Sequence, residues 1–352
     1  VCPVCLGLPG SLPVLNRTAV ELAMRIGTAL GCTVHPSVFH RKNYFYPDMP
    51  KDYQVSQYDE PINRDGHLEL PGGRRVGIVR AHIEEDTGKT THLGATGRIH
   101  DAERSLVDYN RAGVPLVEVV SAPDLRSAEE ARAYVAELRA ILVATGASDG
   151  RMEEGSMRVD ANVSVRRLGS DDLGTRCEIK NLNSLRSLGR AIEFEAARQV
   201  PLVEAGEVIA QETRHFDEET GRTASMRSKE EAYDYRYFPE PDLVPLVPGE
   251  AWVAAVVAGL PMLPADRRRR LLELLGGDAG GSGTAARPVA GVADEAAGVS
   301  AQAVADQVAT VVDLGLDDLV VAAAEAGAPA RLALARAANE AARRPEEARR
   351  AD

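Results

Sequence analysis

The chain has 352 residues, enough for two or three domains with a sizeable hydrophobic core. Its formal net charge of −12 argues against a broad basic surface for unspecific nucleic-acid binding, although a local patch can still hold a structured RNA. No apolar run approaches the roughly 20 residues of a membrane span, and four cysteines do not make a disulfide framework. With no signal peptide visible, these features favour a cytoplasmic protein without a membrane partner.

Two regimes of composition divide the chain. Residues 1–248 mix strand-like runs, turn residues and a few helices, which is typical of an α+β domain and not of a regular βαβ repeat. Residues 249–352 are rich in Ala, Arg and Glu and almost free of aromatic residues, and they predict a helical region. Within that region, GGDAGGSG at 276–283 predicts a flexible linker or loop.

Three helices are predicted in the first region. Apolar periodicity indicates one at 17–31, and a second begins at Ser127, whose spacing from Glu130 fits a capping box. Gly146 suits the end of that second helix. The third helix covers 184–200 and is expected to end or kink at Pro201.

Four segments predict strands: RRVGIVRAHIEED (74–86), PLVEVVS (115–121), MRVDANVSVRR (157–167) and TRCEIKNL (175–182). Because alternate residues of a strand share a face, Arg80, His82, Glu84 and Asp86 project together. Glu118 stands in an otherwise apolar strand, and burying a carboxylate without a partner costs several kcal/mol. We therefore expect Glu118 to have a function.

The other two predicted strands also carry polar faces. One presents Arg158 and Asn162 with Asp160 and Ser164, and the other adds Lys180 with Glu178, Asn181 and Asn183. Carboxylates and amides on several strands are what a hard cation such as Mg²⁺ requires, and Arg or Lys beside them suits nucleotide phosphates. For any one of these strands taken singly, the alternative is that its polar face is simply exposed to water and binds no ligand.

Gly88-Lys89-Thr90 looks like the end of a phosphate-binding loop. That loop requires glycine five positions before its Gly-Lys pair, and Ile83 occupies that position. A P-loop is therefore excluded, and Lys89 and Arg80 are left as separate candidates for phosphate contacts.

Three segments predicted as loops hold six of the nine tyrosines and three of the five phenylalanines: 40–54, 212–221 and 232–246. Aromatic and basic side chains mixed in this way can hold a nucleotide or a single-stranded RNA end by stacking. Alternatively, the tyrosines simply cover loop surface.

Near the start of the chain, Cys2 and Cys5 form half of a zinc site, which usually has four ligands.

Five long motifs, in order along the chain, closely resemble the B subunit of the bacterial aspartyl/glutamyl-tRNA amidotransferases. They are RKNYFYPDMPKDYQVSQYDEPI, VDYNRAGVPLVEVVSAPD, MEEGSMRVDANVS, EIKNLNS and YDYRYFPEPDLVPL, and the resemblance covers residues 1 to about 246. It implies a catalytic domain of glutamine-synthetase-like α+β type with a mixed or antiparallel sheet, followed by helical domains that contact tRNA.

The resemblance also implies an activity. The family uses ATP and Mg²⁺ to phosphorylate the side-chain carboxylate of Glu-tRNA(Gln) or Asp-tRNA(Asn). Ammonia released from glutamine by the glutaminase (A) subunit then displaces the phosphate to give Gln-tRNA(Gln) or Asn-tRNA(Asn), and the C subunit holds the other two together. The predicted partners are therefore the A and C subunits of the amidotransferase and a mischarged tRNA.

Site residues follow from the matching motifs. The family's acidic pair in HIEED maps onto Glu84 and Glu85, and the acid in PLVE onto Glu118, as Mg²⁺ ligands. Strand alternation favours Glu84 over Glu85. We assign catalytic roles to Glu84, Glu118, Arg80 and Lys180, and cofactor binding to Lys89, Arg158 and Asn162.

Two family features have no counterpart in this sequence: a further metal-site histidine from an N-terminal strand, and the Cys-x-Cys pair that completes a Zn²⁺ site with the residues matching Cys2 and Cys5. We expect a truncated N-terminus, and zinc only with those added ligands.

Two rival functions remain at this stage. A ligase acting on a free small molecule would not need tRNA for ATP turnover, and a non-catalytic tRNA-binding protein would not hydrolyse ATP.

Overall fold

The computed structural model describes residues 1–43, 45–71, 73–94, 102–226, 235–277 and 300–343. The chain folds into two compact units, Val1–Leu260 and Pro261–Asp352. In the described part of the first unit the helices are α1 (Arg17–Ala29), α2 (Ala128–Ala144), α3 (Leu185–Glu204) and α4 (Glu250–Ala258). Those of the second unit are α5 (Pro264–Gly277), α6 (Ala301–Asp313), α7 (Asp317–Glu325) and α8 (Ala330–Arg343).

The strands all lie in the first unit, as far as the described residues go. They are β1 (Thr33–Val34), β2 (Phe39–Asn43), β3 (Tyr53–Gln57), β4 (Asn63–Glu69), β5 (Arg75–Glu85), β6 (Lys89–Gly94), β7 (Ala102–Asp108), β8 (Pro115–Ser121), β9 (Val159–Val163), β10 (Cys177–Leu182), β11 (Thr213–Asp217), β12 (Arg222–Ser225) and β13 (Phe238–Pro239).

The largest sheet is antiparallel throughout and has the order β1-β4-β5-β3-β2-β13, with β8 also paired to β5. A second sheet, β12-β11-β10-β9, contains one parallel pair, and β6 and β7 form a two-stranded ribbon. Mixed α and β content with mainly antiparallel pairing confirms the coarse fold class predicted from the sequence.

One apolar core joins the two larger sheets to helices α2 and α3. Ile78 of β5 and Ile179 of β10 are at most 1% exposed, and both belong to the same buried cluster as Leu138 and Leu188 of the helices. A separate cluster packs α1 and α4 against β2 and β3, and the second unit has its own core among α5 to α8. Within the described residues, no helix is long and apolar enough to cross a membrane.

The predicted helix ends are largely confirmed. Ser127 Oγ accepts a hydrogen bond from Glu130 N at 3.1 Å, and Gly146 follows α2 with a φ of 68°, a conformation that favours glycine. The capping box is only half formed, because the Glu130 carboxylate accepts from the backbone N–H of Arg126 and not from that of Ser127.

Two predictions about local structure need correction. Of the two outcomes predicted at Pro201, the end of the helix is wrong, because α3 continues to Glu204; a proline in the last turn removes only one backbone donor near the helix end. The three predicted loops contain strands: β2 and the start of β3, β11, and β13. Pairing with neighbouring strands satisfies their backbone N–H and C=O groups, so these strands form without an alternating apolar pattern. The predicted linker at 276–283 lies mostly outside the described residues.

Candidate active site

Three side chains from two adjacent strands converge at the centre of the largest sheet. His82 of β5 pairs with Glu118 of β8 in the antiparallel register, and Glu84 lies two residues further along the same face of β5. His82 Nε2 is 3.3 Å from Glu84 Oε1 and 3.2 Å from Glu118 Oε2. We refer to these three residues as the His–Glu–Glu cluster.

Neighbouring side chains fix the charge and orientation of Glu84. Ser56 Oγ donates to Glu84 Oε1 at 2.8 Å, and Gln54 Nε2 donates to Oε2 at 3.3 Å. Burial alone would raise the pKa of Glu84, but hydrogen bonds from His82 and Ser56 and the charge of Lys42 lower that pKa to about 2. Glu84 is therefore ionised at neutral pH.

The pKa values of the other two members of the cluster are shifted as well. The hydrogen bond from His82 lowers the pKa of Glu118 against the opposing effect of its burial. Burial alone would lower the pKa of His82, yet the two carboxylates hold that pKa above its usual value. Two closely spaced negative charges therefore favour a positive charge between them, which either a proton on His82 or a bound cation would supply.

The donor atoms fit a divalent cation. One ligand atom from each residue lies within 4.8 Å of the other two, and no other group of His, Cys, Asp and Glu in the described ranges meets the same criterion. Two carboxylates plus water suit Mg²⁺, while the imidazole adds a ligand that transition metals favour. Glu118 leaves the site open to solvent, because its side chain is 52% exposed.

This exposure corrects one premise of the sequence prediction. Glu118 was expected to be buried among apolar neighbours, but half of its side chain reaches solvent. Its strand, β8, pairs with β5 and with no other strand in the described part of the chain, so it is an edge strand. Glu118 is a candidate site residue because it contacts His82, and not because its carboxylate is costly to bury.

Glu85 does not join the cluster. The pleat of β5 sends it to the opposite face, where its carboxylate bonds to Lys51 Nζ at 2.5 Å and accepts from Val55 N at 2.9 Å. The Lys51 side chain is only 3% exposed. The geometry therefore favours Glu84 over Glu85, as strand alternation predicted.

Arg80 shares the face of the cluster. Its charge contributes to lowering the pKa of Glu118, and its buried Nε has no hydrogen-bond partner among the described residues. Asp86, predicted to continue the same face, lies beyond the end of β5. There it is paired with Arg158 at 3.0 Å and with Arg111 at 3.3 Å.

The other predicted site residues have their contacts elsewhere. Lys180 of β10 lies 2.9 Å from Asp160 and 3.3 Å from Glu178 in the second sheet, and these carboxylates help to raise its pKa, although burial opposes them. Asn162 lies opposite Glu178 in the same sheet. Lys89 opens β6 opposite Asp108 in the two-stranded ribbon.

The sulfur atoms of Cys2 and Cys5 lie 3.2 Å apart in a turn. Within the described residues, Cys2 and Cys5 have no third metal-binding side chain beside them, whereas a closed zinc site has four ligands.

Sequence reasoning did not select four residues that surround Glu84. His82, Ser56, Gln54 and Lys42 all contact or electrostatically stabilise its carboxylate. The alternation in HIE was a usable signal for His82, which shares a face with Glu84. The other three come from β2 and β3. β3 pairs with β5, and β2 pairs with β3, so their approach to Glu84 depends on the tertiary structure.

Comparison with known proteins identifies the family. The model of the GatB/GatE catalytic domain matches residues 1–254. The chain belongs to this family.

Members of the GatB/GatE family similar to this chain include proteins named as the B subunit of aspartyl/glutamyl-tRNA(Asn/Gln) amidotransferase. The protein from Frankia casuarinae is 62% identical over 282 residues, which cover 77% of this chain and 56% of the relative. That from Anaeromyxobacter sp. strain K is 60% identical over 287 residues, covering 79% and 58%. That from Nocardia farcinica is 52% identical over 340 residues, covering 94% and 62%. The chain spans about half the length of the first curated relatives it matches.

Proposed function

We propose that this GatB/GatE family chain is the ATP-dependent component of an aminoacyl-tRNA amidotransferase. Its substrates are Glu-tRNA(Gln), Asp-tRNA(Asn) or both, and its products are the amidated aminoacyl-tRNAs. The relatives named above supply the reaction class. The observation that carries the proposal is the His–Glu–Glu cluster, which gathers two ionised carboxylates and an imidazole on the face of an antiparallel sheet.

In this proposal the first unit is a kinase-like catalytic domain of glutamine-synthetase-like type, and the helical second unit contacts tRNA. The reaction has two parts. A side-chain carboxylate oxygen of the aminoacyl-tRNA attacks the γ-phosphorus of ATP, and ADP leaves. Ammonia then attacks the resulting acyl phosphate, phosphate leaves, and a proton is lost from nitrogen to give the amide. The ammonia source is the glutaminase (A) subunit, and the C subunit is the third component of a cytoplasmic complex.

Glu84, Glu118 and His82 would hold the Mg²⁺ ion, which supplies charge stabilisation at the transferring phosphoryl group. Ser56 and Gln54 orient Glu84 through the hydrogen bonds described above, so that its carboxylate is fixed before substrate binds.

Positive side chains on the same face of the sheet would meet the phosphates. Arg80 has an unsatisfied buried Nε, and Lys42 is close enough to lower the pKa of Glu84. Lys89, Arg158, Asn162 and Lys180 stay predictions for nucleotide or substrate contacts. A Zn²⁺ ion at Cys2 and Cys5 would need two further ligands.

The test is ATP-dependent amide formation on Glu-tRNA(Gln) and Asp-tRNA(Asn), with free ammonium as donor, by Glu84→Gln and Glu118→Gln variants. Each substitution keeps the side-chain shape and removes one charge, so the rate should fall by roughly 100-fold or more because several kcal/mol of phosphoryl stabilisation is lost. Glu85→Gln is the matched control, since its carboxylate faces Lys51, and its rate per folded molecule should change little. Near-normal rates in both Gln variants at limiting Mg²⁺ would refute the site.

A further inference from the structure

One face of the largest sheet continues from the His–Glu–Glu cluster across three more strands. Ser56 of β3 lies opposite Glu84 of β5, and Lys42 of β2 lies opposite Gln54 of β3. Because alternate residues share a face, Glu84 of β5, Ser56 and Gln54 of β3, and Lys42 of β2 form a polar track on one face of the sheet. Adjacent strands are about 4.8 Å apart, so Lys42 lies two strand spacings from β5.

Three tyrosines border this track: Tyr58 follows Ser56 by two residues, and Tyr235 and Tyr237 precede β13. The rings of Tyr58 and Tyr237 are stacked, with centroids 4.2 Å apart and planes 11° from parallel. Tyr235 meets Tyr237 edge-on at 6.1 Å, and Lys42 Nζ lies 4.9 Å from the centroid of the Tyr235 ring. We call Tyr58, Tyr235 and Tyr237 the tyrosine stack.

The tyrosine stack has an accessible ring. Tyr58 is 51% exposed although one face of its ring lies against Tyr237 and its edge is near His40. A large aromatic side chain that remains half-exposed beside a charged track is a surface on which another flat ring can stack.

The opposite face of the sheet holds the tyrosine stack in place. Arg41 binds Glu240 through two hydrogen bonds of 2.7 and 2.8 Å, and the Glu240 side chain is fully buried. Arg41 also lies 4.2 Å from the centroid of the Tyr53 ring, and Asn43 Nδ2 donates to Arg236 O at 2.9 Å. These contacts fix the backbone on both sides of Tyr237 without using the face that the tyrosines occupy.

The tyrosine stack and the His–Glu–Glu cluster interact electrostatically. Burial, followed by the negative charges of Glu84 and other neighbours including Glu118, raises the pKa of Tyr237 well above its usual value. Lys42, which contacts Tyr235, helps to lower the pKa of Glu84. Tyr58 shares a face with Ser56, which donates a hydrogen bond to Glu84, and Lys42 contacts Tyr235, so these groups lie on one face of the sheet.

The geometry points to the tyrosine stack as the platform on which an adenine ring binds, stacked on the exposed face of Tyr58. A nucleotide is flat and apolar at its base and anionic at its phosphates, which matches a tyrosine ring and the Lys42 ammonium on one face of the sheet. The cation held by the His–Glu–Glu cluster would lie on the same face. This inference rests on the proposed function, in which two substrates carry adenine: ATP, and the 3′-terminal nucleotide of tRNA.

The test compares Tyr58→Leu with Tyr58→Phe in the full chain. Leucine keeps an apolar side chain but removes the aromatic face, whereas phenylalanine keeps that face. Phe238→Leu is the matched control. Phe238 lies on β13, is 43% exposed, and contacts Arg41 on the opposite face of the sheet. Fluorescence of Trp252, which packs in the first unit, checks that each variant is folded.

Equilibrium binding is measured with four probes: Mg·ATP, Mg·tripolyphosphate, an acceptor-stem RNA ending in CCA, and the same RNA ending in CC. Loss of one stacked base weakens binding by about tenfold or more. If ATP supplies the adenine, Tyr58→Leu should weaken Mg·ATP binding by that factor and leave Mg·tripolyphosphate unchanged. If tRNA supplies it, the same variant should abolish the preference for CCA over CC.

Tyr58→Phe and Phe238→Leu should match the unchanged chain with every probe. Unaltered binding of both Mg·ATP and the CCA-ended RNA by Tyr58→Leu would overturn the adenine platform and leave the proposed function standing. Equal losses for Mg·ATP and Mg·tripolyphosphate would also overturn it, because the effect would not depend on the base. If the unchanged chain bound neither adenine-bearing probe, both proposals would fail.

Discussion

Glu84 and Glu85 are adjacent in the sequence and have the same chemistry, but they have different structural roles. Glu84 faces Ser56 and His82, and its pKa is lowered to about 2. Glu85 faces Lys51, whose side chain is almost fully buried. The difference arises from the two-residue repeat of a strand, which the sequence already contained. What the sequence lacked was the identity of the partners on each face.

This difference predicts that Glu85→Gln affects stability more than catalysis. The substitution leaves the buried ammonium of Lys51 without its charged partner, and a hydrogen bond to a charged group contributes about 1.5–3 kcal/mol. We expect the free energy of unfolding of the first unit to fall by about that amount, measured by urea denaturation with Trp252 fluorescence. Glu84→Gln should also lower the free energy of unfolding, because the pKa of about 2 means that the folded chain stabilises the ionised carboxylate. The two variants should differ in the rate of amide formation, which only Glu84→Gln should reduce strongly. Unchanged stability of Glu85→Gln, or a large loss of its rate per folded molecule, would contradict this division of roles.

At the scale of elements, local signals located the helices better than the loops. Ser127 and Gly146 set the ends of α2 through a side-chain cap and a left-handed glycine, and both are properties of a few adjacent residues. The tyrosine-rich segments were predicted as loops because they lack apolar alternation. They form strands since β2 pairs with β3 on one side and with β13, about 200 residues away, on the other.

Two buried helical glycines should respond in opposite ways to alanine. In α1, a Cβ on Gly27 would lie 2.1 Å from the side chain of Asn63, which is fully buried and bonded to Ala23 O and Ala81 O. Gly27→Ala should therefore lower the free energy of unfolding by about 1–3 kcal/mol through overpacking.

The matched change is Gly189→Ala in α3, where the nearest atom to the new Cβ is the flexible guanidinium of Arg132 at 2.9 Å. That arginine can move, so the higher helix propensity of alanine should raise stability by up to about 1 kcal/mol. Urea denaturation of both variants measures the two effects. A stabilising Gly27→Ala would mean that Asn63 is not held as tightly as its two hydrogen bonds indicate.

On the scale of the whole molecule, the chain consists of two units with separate cores. Sequence composition predicted a functional division at 248/249, whereas the first compact unit extends to Leu260. The intervening helix α4 places Val256 and Trp252 against Val20 and Met24 of α1. Composition assigned this alanine-rich helix to the second region because it resembles the helices that follow it.

Two truncations test which boundary separates the folding units. Residues 1–260 should keep the stability of the first unit and its Mg·ATP affinity, because the cluster and the tyrosine stack lie within it. Residues 1–248 lack α4 and would expose apolar side chains of α1, which should cost roughly 3 kcal/mol. Urea denaturation followed by far-UV circular dichroism measures both. Equal stability of the two fragments would support the boundary at 248, and loss of Mg·ATP binding from residues 1–260 would contradict a site confined to the first unit.

The sequence by itself determined the class of fold, the main helices and strands and the family, and it selected Glu84 and Glu118 as candidate site residues. Those features depend on periodicity, caps and motifs that are local in the chain. Only the tertiary structure decided that His82 meets Glu118, that Glu85 turns away to Lys51, and that Lys42 and the tyrosine stack share a face with the cluster. Each of these depends on the pairing and register of strands that are distant in sequence, and a register is fixed by the packing of a whole sheet and not by any single segment.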